Sequence, residues 1–226
     1  MEYNDIYDEN RNLTGRLHLR GTPWKPGEYG LVVCVWAYDG KGSLLLTRRA
    51  PEKSFAGTWE NSGGAARAGE SSLRAIVREL EEETGIRAEA EEFELLTTIR
   101  DKNTFYDHYC LKREVPLEQI VLQPGETDGV RWATFEQVHE LIRQKQICDI
   151  IAQQFLHEEP ELRKRQFASN GSGNFRQNND LLFNLLSGYN EKKRFLVCPA
   201  KTHWPDAENA FSFYLYAGGI AYDRIV

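Results

Sequence analysis

Three glutamates with helical spacing are the residues of this chain best suited to chemistry. Glu79, Glu82 and Glu83 lie in the segment GESSLRAIVRELEEETGI. Residues at i, i+3 and i+4 share one face of an α-helix, and like charges at this spacing repel each other by about 0.2–0.5 kcal/mol per pair. Two interpretations follow: a solvated acidic face, or a set of carboxylates that holds cations.

The segment around these glutamates has the pattern of an amphipathic helix from about Ser71 to Thr84. Apolar residues recur at i, i+3, i+4 and i+7 and predict one stripe for a core: Leu73, Ile76, Val77 and Leu80. Ser71 or Ser72 can cap the start. Gly85 suits the end, because glycine adopts the left-handed conformation without penalty. The glutamates fall on a different face from the apolar stripe.

Fixed residues on both sides of this helix complete a longer pattern. They follow the spacing GX5EX7REUXEEXGU, where U is apolar, at Gly64, Glu70, Arg78, Glu79, Glu82, Glu83, Gly85 and Ile86. The pattern resembles the signature of the Nudix hydrolases and matches it at every fixed position. The resemblance implies a Nudix-type α/β/α sandwich with a mixed β-sheet, and an enzyme that hydrolyses phosphoric anhydrides with the help of Mg²⁺ or Mn²⁺.

The resemblance also implies roles for individual residues. Glu79, Glu82 and Glu83 match the family's metal-ligand positions, and the carbonyl oxygen of Gly64 often completes the set. Bound cations would offset the carboxylate repulsion, bridge diphosphate oxygens and acidify a water molecule. We therefore expect Glu79 and Glu82 in the catalytic set, with Glu79 either a ligand or the general base.

Further site residues are expected beside the metal-binding helix. Glu70 and Arg78 are predicted to form an ion pair that holds the loop to the helix. Glu126 precedes the last predicted strand and is expected as general base or extra ligand, the alternative being an exposed loop glutamate. Arg49 and Lys53 follow a predicted strand end. We expect them to bind phosphate, which arginine can contact with two parallel hydrogen bonds, and a solvated strand end is the alternative.

Composition limits the class of protein. The chain has 226 residues, 41% of them hydrophobic, and a net charge of −6, which argues against nucleic-acid binding. An acidic chain can still take a phosphate substrate, because bound cations reverse the local charge. No apolar run reaches 18 residues and the N-terminus is polar, so we expect neither a membrane span nor a secretory signal. The four cysteines lack metal-ligand spacing, and we expect reduced thiols in a cytoplasmic protein.

The elements that must position the site alternate along the chain. Strands are predicted at 15–21, 31–37, 43–50, 93–100, 104–114 and 129–135. The apolar run 31–37 suits a central strand buried on both faces. A second amphipathic helix is predicted from a capping box at Thr134 and Gln137 to about His157. Two helices on a mixed sheet give the α/β/α arrangement.

The sequence divides into a predicted Nudix domain at 1–157 and a small α+β C-terminal extension at 158–226. The extension is predicted to begin as a polar linker and to continue with a short helix at 181–188 and strands at 194–200 and 211–226. Three roles are open for it: covering the active site, forming the interface of a homodimer, or capping the domain.

A wider resemblance, over residues 4–145, points to the Nudix branch that includes isopentenyl-diphosphate isomerase and its hydrolase-like relatives. The isomerase needs a cysteine in the loop before the signature and a metal-binding histidine. Here the loop reads TWENSGG, and Gly30 stands in the place of that histidine. We therefore expect hydrolysis of a small-molecule diphosphate, such as a nucleoside diphosphate linked to a second moiety. An isomerase and a ligand-sensing module without turnover are the alternatives.

Overall fold

A computed structural model describes residues 1–168 of the chain. These residues form nine strands and three helices, with short 3₁₀ turns at Ala90–Glu92 and Leu117–Gln119. The strands are β1 (Tyr3–Tyr7), β2 (Leu13–Leu19), β3 (Gly30–Tyr38), β4 (Ser43–Arg49), β5 (Trp59–Glu60), β6 (Ser62–Ala65), β7 (Glu94–Asp101), β8 (Thr104–Lys112) and β9 (Thr127–Thr134). The helices are α1 (Ser72–Thr84), α2 (Phe135–Arg143) and α3 (Asp149–Ala168).

Seven of these strands form a mixed sheet. Its order is β5-β4-β3-β8-β7, with β6 paired to β3 and β9 paired to β4. β3 and β8 run parallel along their whole length, while the other pairs are antiparallel. β1 and β2 form a separate antiparallel pair. The mixed sheet confirms the predicted fold class.

β3 lies at the centre of this sheet and is covered on both faces. Val33 and Val35 pack in the cluster that contains the apolar stripe of α1. Trp36 and Tyr38, which point to the opposite face, pack in the cluster that contains residues of α2 and α3. Two apolar faces explain why this strand is a continuous apolar run rather than an alternating one.

α1 has the predicted bounds and the predicted buried face. Ser71 caps it, accepting a hydrogen bond from the backbone N–H of Arg74 at 3.3 Å. Gly85 ends it with a left-handed φ of 70°. Ile76 and Leu80 are fully buried. The glutamates lie on a different face of the helix from these two residues, and Glu83 is nevertheless also buried.

The predicted second helix is two helices, so a single helix from 134 to 157 was wrong. The capping box at Thr134 and Gln137 is present and starts α2. The chain then leaves the helical path, with a positive φ of 56° at Lys145. The carbonyl oxygen of Gln146 accepts a hydrogen bond from the backbone N–H of Trp59 at 2.7 Å. Pairing with β5 accounts for the break.

α3 extends beyond the predicted end of that helix, to Ala168, and it contains Pro160. Residues 158–168 are helical, and their prediction as the start of a polar linker was therefore wrong. The boundary proposed between residues 157 and 158 falls inside α3, and the division into two domains stays a prediction. The helix and strands predicted after residue 168 lie outside the described residues. Between residues 1 and 168, no helix is both long and apolar enough to cross a membrane.

A buried aspartate ties the start of α1 to the sheet. Asp107 of β8 pairs with Arg11, whose Nη1 donates to Oδ1 at 2.7 Å. The hydroxyl groups of Ser72 and Thr98 also donate to its carboxylate. Burial opposes ionisation, but these hydrogen bonds outweigh it and keep the pKa of Asp107 below its usual range. These contacts fix the N-terminus of α1 relative to β7 and β8.

Candidate metal and phosphate site

Strand β6 brings a glycine against a carboxylate of α1. Gly64 pairs with Val33 of the central strand. A Cβ built on Gly64 would lie 2.5 Å from Oε1 of Glu79, which is closer than real Cβ contacts. The absence of a side chain at Gly64 therefore leaves room for the Glu79 carboxylate beside the backbone of β6.

Glu83 is the most buried of the three glutamates, with 8% of its surface exposed. The backbone N–H of Gly63 donates to its Oε2 at 3.3 Å. Burial raises the pKa of Glu83 well above its usual range, and the charges of Glu60 and Glu79 add to the effect. A bound cation would stabilise the ionised form of a carboxylate in this environment.

Arg78 connects the loop to the glutamates of α1. Its Nε and Nη2 donate to the two oxygens of Glu70 at 2.7 and 2.8 Å, so the predicted ion pair is present. Its Nη1 contacts Glu79 at 2.7 Å and Glu82 at 3.1 Å. The hydrogen bonds from Arg78 lower the pKa of Glu70. Burial raises the pKa of Glu79 despite the same arginine.

A second arginine, which the sequence analysis did not single out, also contacts Glu82. The Nη1 and Nη2 atoms of Arg67 each lie 3.2 Å from an oxygen of Glu82. Its Nε donates to Glu2 at 3.0 Å. Arg67 occupies one of the five unspecified positions between Gly64 and Glu70 of the signature. The sequence pattern therefore gave no reason to assign it a function.

β1 forms hydrogen bonds with the loop between β6 and α1. The side-chain amide of Asn4 donates to the carbonyl oxygen of Ala66 at 2.7 Å. The backbone N–H of Ala68 donates to the carbonyl oxygen of Tyr3 at 2.8 Å. Asp5 accepts from the backbone N–H of Gly69 at 2.7 Å. These three bonds fix the loop between β6 and α1, which directly follows Gly64 and Ala65.

Arg49, predicted to bind phosphate, is paired with Glu60. Its Nη1 lies 2.8 and 2.7 Å from the two carboxylate oxygens, and its Nε donates to the carbonyl oxygen of Ser54 at 2.6 Å. Burial raises the pKa of Glu60, and its charge in turn acts on Glu83. Glu60 is therefore a further carboxylate beside the three glutamates. Its place in TWENSGG, just before the metal loop, was the available signal.

Lys53 and Glu126 form an ion pair with each other. The side chain of Glu126 is 41% exposed, and its backbone carbonyl accepts a hydrogen bond from Ala50 at 2.9 Å. The positive charge of Lys53 lowers the pKa of Glu60, and the negative charge of Glu126 raises it. Arg49, Lys53 and Glu126 therefore lie around Glu60. The charge of Glu60 acts in turn on Glu83, so this group adjoins the proposed metal site.

These residues suit a hard divalent cation. The donor atoms are all oxygens, which Mg²⁺ and Mn²⁺ prefer. Gly64 leaves space beside Glu79, and Glu83 is a buried carboxylate with a raised pKa. Within residues 1–168, no three acidic, histidine or cysteine side chains already converge on one cation position. Glu79 and Glu82 must turn from Arg78 and Arg67 to bind a cation.

Comparison with known proteins identifies the family. The family model described as NUDIX domain matches residues 28–152, and the chain belongs to the Nudix family. An uncharacterised Nudix hydrolase of Listeria monocytogenes is 34% identical over 143 residues, which are 62% of this chain and 85% of that protein. The protein is accordingly a Nudix pyrophosphohydrolase, and enzymes of this family generally use divalent cations.

Two further similarities concern the branch and the fold. The isopentenyl-diphosphate Delta-isomerase of Escherichia coli is 40% identical over 58 residues, which are 25% of this chain and 32% of that protein. This short match hints at the isomerase-like branch, which stays a proposal. The crystal structure of DR0079 from Deinococcus radiodurans has a TM-score of 0.56 at 24% identity, covering 65% of this chain and 91% of that one. That similarity shows the fold.

Proposed function

We propose that the protein uses Mg²⁺ or Mn²⁺ to hydrolyse the diphosphate linkage of a nucleoside diphosphate joined to a second moiety, or of a related small molecule. The observation that carries the proposal is the approach of Glu79 to Gly64 beside the buried Glu83. Carboxylates placed against a glycine backbone and partly buried favour a cation site over a solvated acidic surface.

Each residue has a distinct part in this proposal. Glu79, Glu82, Glu83 and the carbonyl oxygen of Gly64 hold the cations. When bound, the cations polarise the diphosphate and make a water molecule more acidic. Glu126 accepts the proton of the attacking water, for which its exposed side chain is accessible.

Arg49 and Lys53 bind phosphate oxygens in the same proposal. Both are paired with carboxylates, Arg49 with Glu60 and Lys53 with Glu126. A diphosphate would compete with Glu60 and Glu126 for these side chains. Substrate binding would therefore free Glu126 from Lys53 at the step in which Glu126 accepts a proton.

The environment of Gly30 supports hydrolysis over isomerisation. A Cβ at Gly30 would lie 2.6 Å from the Trp24 ring, which itself stacks on His18 at 3.6 Å between ring centroids. A histidine side chain at position 30 would collide with this tryptophan. The loop before the signature also lacks the cysteine that isomerisation requires.

Two features support action on small molecules inside the cell. Cys34 and Cys110 are buried free thiols, and burial raises the pKa of Cys110 to about 12, so it remains protonated. The net charge of −6 disfavours nucleic acid as a partner. We propose a cytoplasmic enzyme in which the C-terminal extension predicted at 158–226, of which residues 158–168 belong to α3, contributes to substrate choice, to a homodimer interface or to a structural cap.

A substrate panel with matched variants tests the proposal. Nucleoside, sugar, dinucleotide, coenzyme and prenyl diphosphates would be assayed with Mg²⁺ and with Mn²⁺. Glu82→Gln should lower kcat by about 10³-fold or more, because a bound cation contributes several kcal/mol to transition-state stabilisation. Glu81→Gln is the control, since Glu81 lies on the same helix, pairs with Arg87 and is 46% exposed.

The outcomes separate the alternatives. Turnover that persists unchanged in Glu82→Gln would show that the cation assignment is wrong. Isomerisation of a prenyl diphosphate without hydrolysis would favour the isomerase alternative. Binding without turnover across the whole panel would favour a ligand-sensing module.

A further inference from the structure

Arg67 is the only arginine of the described residues that contacts both Glu2, which directly precedes β1, and a proposed metal ligand. Its Nη1 and Nη2 lie 3.2 Å from the two oxygens of Glu82, and its Nε donates to Glu2 at 3.0 Å. Glu2 also accepts a hydrogen bond from Arg20 at 2.5 Å. The Nε edge of the guanidinium is thus held by Glu2, while Nη1 and Nη2 contact Glu82.

The position of Arg67 fits a residue that changes partner. Its side chain is 44% exposed, so solvent and ligands reach it. A cation bound by Glu82 would use the same two oxygens that now accept hydrogen bonds from Arg67. The bond to Glu2 does not involve these oxygens, so it can keep the guanidinium in place while Nη1 and Nη2 become available.

We propose that Arg67 competes with the cation for Glu82 in the metal-free enzyme and binds the diphosphate once the cation is in place. The inference rests on the proposed function of this site. Guanidinium groups bind phosphate through two parallel hydrogen bonds, which Nη1 and Nη2 can supply together. Glu2 acts as a positioning residue, because it holds Arg67 without reaching the substrate.

The competition of Arg67 with the cation and its binding of the diphosphate can be measured separately. Mn²⁺ binding without substrate is followed by electron paramagnetic resonance. Arg67→Gln should bind Mn²⁺ about two- to fivefold more tightly, the size expected for removing a partly exposed ion pair. The same variant should raise KM for the best diphosphate substrate about tenfold, through the lost charge-assisted hydrogen bonds, with kcat within about threefold of wild type.

Two other variants sharpen the test. Glu2→Gln removes the outer partner, so Arg67 binds Glu82 more strongly and Mn²⁺ affinity should fall about twofold. Arg67→Lys keeps the charge but loses the paired donors. It should leave Mn²⁺ affinity near wild type and still raise KM. Arg74→Gln is the control, because Arg74 lies on α1 and its side chain forms no ion pair within residues 1–168.

The failures are distinguishable. If Glu82→Gln binds Mn²⁺ as tightly as wild type, the proposed function of the site fails. If Glu82→Gln loses Mn²⁺ but Arg67→Gln leaves KM unchanged, the role of Arg67 is overturned and the proposed function stands. Thermal unfolding of each variant without metal shows whether it is folded.

Discussion

Gly64 and Glu79 approach each other so closely that a Cβ on Gly64 would lie 2.5 Å from Oε1 of Glu79. Gly64→Ala should therefore displace the carboxylate, weaken Mn²⁺ binding and lower kcat by about 10²-fold, because the ligand geometry is lost. Direct Mn²⁺ titration and steady-state kinetics measure the two effects.

The control for this change is Gly129→Ala. Gly129 lies on strand β9, and the nearest atoms to a Cβ there are those of the Arg48 side chain, Nε at 3.2 Å and Cβ at 3.3 Å, so a small shift of Arg48 is enough to make room. Its activity should stay within about twofold of wild type, as for most changes away from a site. Equal losses in both variants would indicate a general effect of alanine on the sheet and not a specific effect on Glu79.

In the absence of metal, the wild type with Glu83 should be less stable than the Glu83→Gln variant, whose side chain is neutral. It is a buried carboxylate that receives a hydrogen bond from Gly63 but has no ion pair among the described residues. Glu83→Gln should raise the free energy of unfolding in chelator by about 1–2 kcal/mol, since a buried charge is costly without a partner. Thermal unfolding with and without Mg²⁺ should also show that Mg²⁺ stabilises only the wild type. A variant less stable than wild type in chelator would contradict the burial argument.

Asp107 should stabilise the fold in a pH-dependent way. Its pKa is lowered in the folded protein, so its contribution is present above the ordinary range of an aspartate and is lost as pH falls through the lowered pKa. Asp107→Asn should cost about 2–4 kcal/mol at pH 7, because it leaves Arg11 without its buried partner. Urea unfolding from pH 7 to pH 3 should show the two proteins converge as the pH falls.

The matched control for Asp107 is Asp128→Asn. Asp128 accepts a hydrogen bond from Arg48 at 2.7 Å, but its side chain is 34% exposed. A surface pair of this kind contributes about 0–1 kcal/mol. A difference between wild type and Asp107→Asn that is constant with pH would contradict the role of the charge.

Glu126 and Lys53 should affect different kinetic constants. Glu126→Gln removes the proposed base and should lower kcat about 10²–10⁴-fold. Lys53→Gln removes a phosphate contact and also frees Glu126, so KM should rise about tenfold while kcat changes little. A pure KM effect in Glu126→Gln would mean that Glu126 only positions Lys53.

The sequence predicted α1 and its caps because the signals are local. Ser71, the apolar stripe and Gly85 lie within fifteen residues of each other and act within a single helix. The break at Lys145 was not predictable in the same way. It depends on a hydrogen bond between Gln146 and Trp59, which are distant in sequence.

The proposed site shows the same division. The spacing of the α1 glutamates singled them out, and the family resemblance implies that they are cation ligands, which stays a proposal. The partners of the charged residues were not, since the pairing of Arg49 with Glu60 and of Arg67 with Glu2 depends on how strands and loops meet. Charge type alone does not say which carboxylate an arginine contacts.

The contacts of β1 have a consequence for the limits of the functional unit. The family model matches from residue 28, yet Tyr3, Asn4 and Asp5 bind the loop between β6 and α1, just after Gly64. A fragment cut at the start of that match would retain every residue of the signature and lose the strand against which its loop is fastened. The structural unit that supports the proposed site is therefore larger than the segment that the family model matches, and a truncation designed from that match alone would remove part of its support.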